Sequence, residues 1–259
     1  MEGSGNYLIL FGVMFVFFSA VFLVAQRMRN NGLIDIAWGL GFVCSTLISF
    51  AIGNPQGIVP QVATACVLAW GLRLTWHLAG RNLGKPEDFR YARMRDTWNP
   101  RTFHLRMFVQ IYLLQLFLNV LINLPTIVSN LQDVPGWNAV ASAGLAVWCI
   151  GFFFEVVGDH QLKVFKAKPA NNGKLIETGL WRYTRHPNYF GEAVQWWGIF
   201  LLAVSAGYGY WLVISPLAIT FFLLYVSGVP MLERKYEGRA DWEDYKRRTR
   251  RFFPGIPKK

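Results

Sequence analysis

Residues 7–25 read Tyr-Leu-Ile-Leu-Phe-Gly-Val-Met-Phe-Val-Phe-Phe-Ser-Ala-Val-Phe-Leu-Val-Ala, without one charged side chain. About 20 predominantly apolar residues are what a helix needs to cross the hydrocarbon core of a bilayer. Backbone groups in that core must be satisfied internally, and a helix does this within one segment. Gln26, Arg27 and Arg29 follow the run and no basic stretch precedes it. It is therefore expected to be a retained first helix and not a cleaved signal. Further runs follow at about 34–52, 58–79, 107–129, 137–158, 190–206 and 209–230. The expected fold is all-α: a polytopic membrane helix bundle of about seven transmembrane helices, forming one integral membrane domain over residues 1–259.

Composition and charge agree with this reading. The chain is 53% hydrophobic and only 16% charged, where soluble domains carry about 25% charged residues. The net charge of +11 would suggest nucleic acid in a soluble protein. Here the basic residues are split among short links and no nucleic-acid motif accompanies them, which argues against such a partner. Every Lys and Arg except Arg73 lies in one of four places: residues 26–33, 80–106, 159–189 or the tail 231–259. The opposite links, around Asn54, Asp133 and Gly207, hold none. Basic residues in short loops mark the cytoplasmic side. The N-terminus is thus expected outside and the C-terminus in the cytoplasm, and the alternation fits an odd number of spans. Cys44, Cys66 and Cys149 each lie in an apolar run without metal-ligand spacing and read as packing residues. No metal site is expected.

Ionisable residues inside spans are costly and point to function by default. Asp35 lies just inside the second span. Arg73 and His77 are four apart near the end of the third and share a face. Glu155 and Asp159 do the same at the end of the fifth, and Glu192 opens the sixth. All six fall in the expected cytoplasmic half, which implies a polar cavity open to that side. Asp35 and Arg73 also read as a buried ion pair without chemistry, His77 as a satisfied interfacial histidine, and the terminal Arg and Glu as snorkelling groups. Rossmann, Walker, His-Glu-x-x-His and Gly-x-Ser-x-Gly patterns do not occur.

The informative segment is Gly179-Leu-Trp-Arg-Tyr-Thr-Arg-His-Pro-Asn-Tyr-Phe-Gly-Glu192. Pro187 suits the first turn of a helix, and a helix N-terminus favours anions. Arg182, Arg185 and His186 sit beside it, and Trp181, Tyr183 and Tyr189 offer stacking faces. The bland reading is an interfacial belt of aromatic and basic residues; the other is a cradle for a phosphorylated, aromatic cofactor.

The stretch Tyr183–Glu192 resembles the signature of the steroid 5α-reductase-like superfamily, which includes sterol reductases and, more distantly, isoprenylcysteine and phospholipid methyltransferases. Asp159-His-Gln-Leu-Lys163 with Lys166, then Glu233-Arg-Lys-Tyr, Trp242-Glu-Asp-Tyr and Phe253-Pro254, resemble the superfamily's C-terminal region, here 155–259. Asp35-x-x-Trp38, Arg73 and Arg81-Asn-Leu-Gly-Lys-Pro-Glu-Asp-Phe-Arg-Tyr91 resemble the bacterial 5α-reductase-like branch. The resemblance implies an oxidoreductase that uses NADPH to reduce a carbon–carbon double bond conjugated to a carbonyl. The substrate would be a lipophilic, steroid- or lipid-like molecule drawn from the bilayer. It implies a bacterial inner membrane with the active site facing the cytoplasm. Asp35 and Glu192 are the implied catalytic residues. Arg73, His77, Arg81, Asp159, Lys166, Arg182, Arg185, His186, Asn188, Tyr189 and Glu192 are the implied cofactor-binding residues. Trp70 stands where the animal enzymes have a ketone-holding tyrosine, which departs from a steroid site. The alternative within the superfamily is a membrane methyltransferase using S-adenosylmethionine.

Overall fold

The computed structural model describes residues 2–132 and 136–258. Met1, Asp133 of the charge-poor link and Lys259 of the basic tail lie outside the described residues. Among the described residues the regular structure is helical and no strand occurs. The helices are α1 (Glu2–Met28), α2 (Leu33–Gly53), α3 (Ile58–Asn82), α4 (Phe89–Thr97), α5 (Phe103–Met107), α6 (Leu114–Gln132), α7 (Ala139–Ala167), α8 (Pro187–Ser205), α9 (Ile214–Phe221), α10 (Val229–Arg234) and α11 (Ala240–Arg248). A π-turn, Phe108–Leu113, joins α5 to α6, and another, Phe222–Val226, follows α9.

Six segments among the described residues are long and apolar enough to cross a membrane: Gly5–Met28, Leu33–Gly53, Ile58–Asn82, Phe103–Gln132, Ala139–Ala167 and Tyr210–Arg234. They correspond to six of the seven expected spans. The remaining expected span, 190–206, is the helix α8, but its apolar content falls short of the other six. The reason is visible in its sequence: Asn188, Glu192 and Gln195 replace the apolar residues of its first half. This helix buries Glu192, Gln195 and Trp196 along with its apolar residues.

The chain divides into two compact units, Met1–Trp137 with Ala206–Leu212, and Asn138–Ser205 with Val213–Lys259. In the first unit the core forms where α1, α2, α3 and α6 pack, around Met14, Phe18, Ile34, Phe42, Trp70, Tyr112 and Leu116. A polar seam runs through it. Asn123 Nδ2 donates to Ser45 Oγ and Thr46 Oγ1, both at 2.9 Å. Asn130 Nδ2 donates to Ser49 Oγ at 3.1 Å, and Asn130 Oδ1 accepts from Thr64 Oγ1 at 3.0 Å. Asn119 Nδ2 donates to the Trp38 carbonyl at 3.2 Å. Between helices in lipid there is little hydrophobic drive to associate, and such side-chain hydrogen bonds supply attraction and register.

The link after α3 is tied down by one carboxylate. Glu87 accepts from the Asn31 backbone N–H at 2.7 Å and from Asn31 Nδ2 at 2.9 Å. It also accepts from Arg95 Nε at 3.1 Å and Nη2 at 2.9 Å. Asn31 is buried, and its Oδ1 accepts from Gln26 Nε2 and from the Tyr112 hydroxyl. Burial works to raise the Glu87 pKa, but the hydrogen bonds from Arg95 and Asn31 carry it below the ordinary glutamate value.

Candidate active site

In the second unit, α7 and α8 pack backbone to backbone. Gly144, Gly151 and Gly158 recur every seven residues on α7, and Gly191 and Gly198 are seven apart on α8. A Cβ at Gly151 would lie 2.6 Å from both Gln195 N and the Gly191 carbonyl oxygen. One at Gly198 would lie 2.6 Å from Trp148 N. These obstacles are main-chain atoms, so no rotamer change relieves them. Only hydrogen fits, and small residues let membrane helices approach this closely.

The close approach brings polar side chains of the two helices together. Gln195 Nε2 donates a short hydrogen bond to Glu155 Oε2. Asn188 Nδ2 donates to Asp159 Oδ1 at 3.0 Å. In each pair the amide nitrogen donates and the carboxylate oxygen accepts, so the amide oxygens turn away. Gln195 Oε1 and Asn188 Oδ1 are left as buried acceptors with no hydrogen-bond partner. Glu192 follows Asn188 by one turn and is also buried. Three buried carboxylates, Glu155, Asp159 and Glu192, thus stand on one helix pair. Burying carboxylates is expensive, so this cluster is the strongest candidate site in the unit.

The segment before α8 is fastened to the C-terminal tail. Arg185 Nε donates to Glu233 Oε1 at 3.0 Å, and its Nη1 donates to the carbonyls of Lys246 at 3.3 Å and Thr249 at 3.1 Å. Its guanidinium carbon lies 5.5 Å from the centre of the Trp242 ring. His186 Nε2 lies 3.0 Å from Glu233 Oε1, so the neutral ring donates there and its buried Nδ1 is an unfilled acceptor. Burial holds His186 below the usual imidazole pKa, against the opposing pull of Glu233. Thr184 Oγ1 donates to the Phe252 carbonyl at 2.7 Å, and the Tyr245 hydroxyl donates to the Trp181 carbonyl at 2.5 Å. Burial raises the Tyr245 pKa, which keeps that hydroxyl protonated. Pro187 does start α8, as expected.

The expected site residues therefore separate by position. Asp159, Asn188 and Glu192 come together. Arg185 and His186, expected in an anion cradle, are engaged by Glu233. Tyr189 stacks on His186 with ring centres 5.9 Å apart. Lys166 and Arg182 are exposed. In the first unit, Arg73, His77 and Arg81 step along α3 every four residues; the first two are half-buried and Arg81 Nε donates to Asn82 Oδ1 at 3.0 Å. Asp35, on α2, is held by Arg90 Nη2 at 2.6 Å and by the Tyr91 hydroxyl at 2.8 Å. Asp35 thus forms an ion pair with Arg90. Burial, and then the charge of Asp35, raise the Tyr91 pKa well above the tyrosine value. Sequence reasoning missed Gln195, Glu233, Glu87 and the Arg90–Tyr91 pair. Gln195 was findable, since it lies seven residues after Asn188 on the same helix face; the others depend on long-range folding.

Comparison with known proteins places the chain. Residues 21–249 match the profile of the family described as Protein of unknown function (DUF1295). The chain belongs to this family. The resemblance to the steroid 5α-reductase-like superfamily is borne out by shorter local matches. The chain is 38% identical over 63 residues to 3-oxo-5-alpha-steroid 4-dehydrogenase 1 of Mus musculus, covering 24% of each chain. It is 32% identical over 71 residues to Steroid 5-alpha-reductase DET2 of Gossypium hirsutum, covering 27% of this chain and 28% of that protein. It is 33% identical over 72 residues to Probable O-methyltransferase ustE of Ustilaginoidea virens, covering 28% of this chain and 25% of that protein. These matches span about a quarter of the length of each relative. No solved structure matches the chain at the same stringency.

Proposed function

We propose that this family member is a membrane reductase that uses NADPH to reduce a carbon–carbon double bond conjugated to a carbonyl in a lipophilic substrate. The observation that carries the reading is the cluster of buried Glu155, Asp159, Glu192 and Gln195 with half-buried Asn188 on the glycine-packed α7–α8 pair, in the segment that bears the 5α-reductase-like signature. Local matches to two proteins named as steroid 5α-reductases support it.

The residues present fit a nicotinamide dinucleotide. The unfilled carbonyl acceptors of Asn188 and Gln195 suit an amide donor such as the nicotinamide carboxamide. Exposed Lys166 and Arg182 suit the phosphate end, and Arg offers a 2′-phosphate two parallel hydrogen bonds. Bound NADPH would supply the hydride that the β-carbon receives. In this reading Glu192 and Asn188 orient the nicotinamide end, and Asp159 holds Asn188 in register. Arg185 and His186 act by fixing the tail through Glu233, and Tyr189 keeps the His186 ring in place. Within the first unit, Asp35 serves the substrate carbonyl side, where developing oxygen charge needs a polar partner. The resemblance also assigns cofactor-binding roles to Arg73, His77 and Arg81 on α3. We further infer seven spans with α8 as the sixth, an outside N-terminus, and an active site on the cytoplasmic side of a bacterial inner membrane.

The test is turnover. Purified protein with NADPH should reduce members of a panel of lipophilic enones, and Glu192→Ala should abolish this while the protein still inserts. Unchanged turnover in Glu192→Ala removes the site assignment. One observation favours a second reading: the local match to a protein named as a probable O-methyltransferase. Methyl transfer from S-adenosylmethionine with no NADPH consumption would establish that alternative.

A further inference from the structure

A groove of about 360 Å³ opens at the end of α7, against the chain that returns toward α8. Its walls include His160, Val164, Phe165, Lys168, Ile176 and Thr178. The far wall is held in place by Leu180, whose backbone N–H donates to Gln161 Oε1 at 2.9 Å. Among the described residues no acidic side chain lines the groove. Glu177, next to it in sequence, has its carboxylate paired with Arg248 Nη2 at 2.9 Å. The groove therefore offers a positive charge at Lys168, with the His160 ring beside it, over an apolar floor at Val164, Phe165 and Ile176.

Its position on the helix separates it from the candidate active site. At about 100° per residue, Gly151, Glu155, Gly158 and Asp159 point to one side of α7, the side packed on α8. Ile150, Phe153, His160, Val164 and Lys168 point to the other. Along that outer side Ile150 is 52% exposed, Phe153 54% and Val164 44%. The helix is long and apolar enough to cross a membrane, so its exposed apolar stripe meets acyl chains. His160 and Gln161 follow on the same side before Val164, at the groove. From Phe153 to Val164 is eleven residues, or roughly 16 Å at the helical rise. An apolar stripe that ends in a cationic notch matches an amphiphile with an anionic head and an apolar tail.

We propose that this groove seats the phosphate headgroup of an anionic phospholipid, with an acyl chain lying along Ile150 and Phe153. Lys168 faces the phosphate, and the His160 ring and the Thr178 hydroxyl donate hydrogen bonds to it. Basic pockets at the ends of membrane helices bind such headgroups, and each nearby Lys or Arg contributes about a fivefold change in affinity, or roughly 1 kcal/mol. The inference rests on the membrane helix and the groove alone, and it stands or falls separately from the reductase reading.

The test uses the full chain in detergent, titrated with phosphatidylglycerol or with phosphatidylcholine of the same acyl chains, and read by native mass spectrometry. One phosphatidylglycerol should stay bound in preference to phosphatidylcholine. Lys168→Gln should weaken it about fivefold. Val164→Asp, which puts a carboxylate on the groove floor, should weaken it further. Both positions are exposed, so the variants should fold. Lys163→Gln with Lys174→Gln removes two basic charges outside the groove and should leave binding unchanged. Equal binding of the two lipids overturns the proposal, and so does an equal loss in the control pair. Displacement of phosphatidylglycerol by millimolar inorganic phosphate overturns the lipid assignment in favour of a free anion.

Discussion

Consider Gly151→Ala. The new Cβ would lie 2.6 Å from Gln195 N, 2.6 Å from the Gly191 carbonyl oxygen and 2.8 Å from Gln195 Cγ. Ordinary contact is about an ångström longer, and two of these three atoms are main chain. The helices must therefore part by roughly 1 Å along the seam. Overpacking of this kind costs about 1–3 kcal/mol. Against it stands the helix propensity of Ala over Gly, about 1 kcal/mol in favour of the variant. The net expectation is a loss of up to about 2 kcal/mol, with the Gln195–Glu155 hydrogen bond stretched. Gly80→Ala is the control, because a Cβ there meets nothing within 4 Å. It should gain about 1 kcal/mol from the same propensity term. Thermal unfolding of both variants in the same detergent, followed by the loss of helical circular dichroism, separates the two terms. The melting temperature of Gly151→Ala should fall below that of Gly80→Ala by on the order of 5–10 °C, at a few degrees per kcal/mol. Equal melting temperatures would refute the glycine-seam account.

Other outcomes follow from the same structure. Glu87→Ala leaves the buried Asn31 donors without their carboxylate, at about 1–3 kcal/mol per donor. Limited trypsin digestion should then cleave at Lys85, Arg93 or Arg101 much faster than in wild type. The same anchor sets a pH dependence: the Glu87 pKa is depressed in the fold, so its stabilisation is complete above the unfolded value of about 4.3 and declines as pH falls below it. Loop protection should drop below about pH 4 in wild type and be insensitive to this range in Glu87→Gln. Arg185→Lys keeps a charge but loses the forked contacts to Glu233, Lys246 and Thr249, so the tail should become protease-sensitive while the helices stay intact.

The six apolar spans were legible because each is a long, predominantly apolar run with few interior charges. The helix α8 was legible too, as a helix, since Pro187 starts it and the apolar residues after Gln195 continue it. Its apolar content is lower than that of the six, because a helix packed on a partner carries Glu192 and Gln195 inward. The meeting of Asp159, Asn188 and Glu192 was foreshadowed by spacing and by the signature. The engagement of Arg185 was not, since its partner Glu233 lies 48 residues away. The seam of Asn119, Asn123 and Asn130 carries a readable signal, amides at helical spacing within an apolar run, but its partners on α2 are small hydroxyl residues that look like ordinary packing. Asp35 is a partly buried acid, and its ties to Arg90 and Tyr91 depend on a link whose path no periodicity describes.

The most direct test of the central claim is fluorescence titration of the detergent-purified chain with NADPH, run beside S-adenosylmethionine. The account predicts saturable NADPH binding that weakens in Asn188→Ala and Glu192→Ala, with no binding of S-adenosylmethionine. Binding of S-adenosylmethionine alone would contradict the reductase and favour the methyltransferase, and binding of neither would leave a non-catalytic membrane protein.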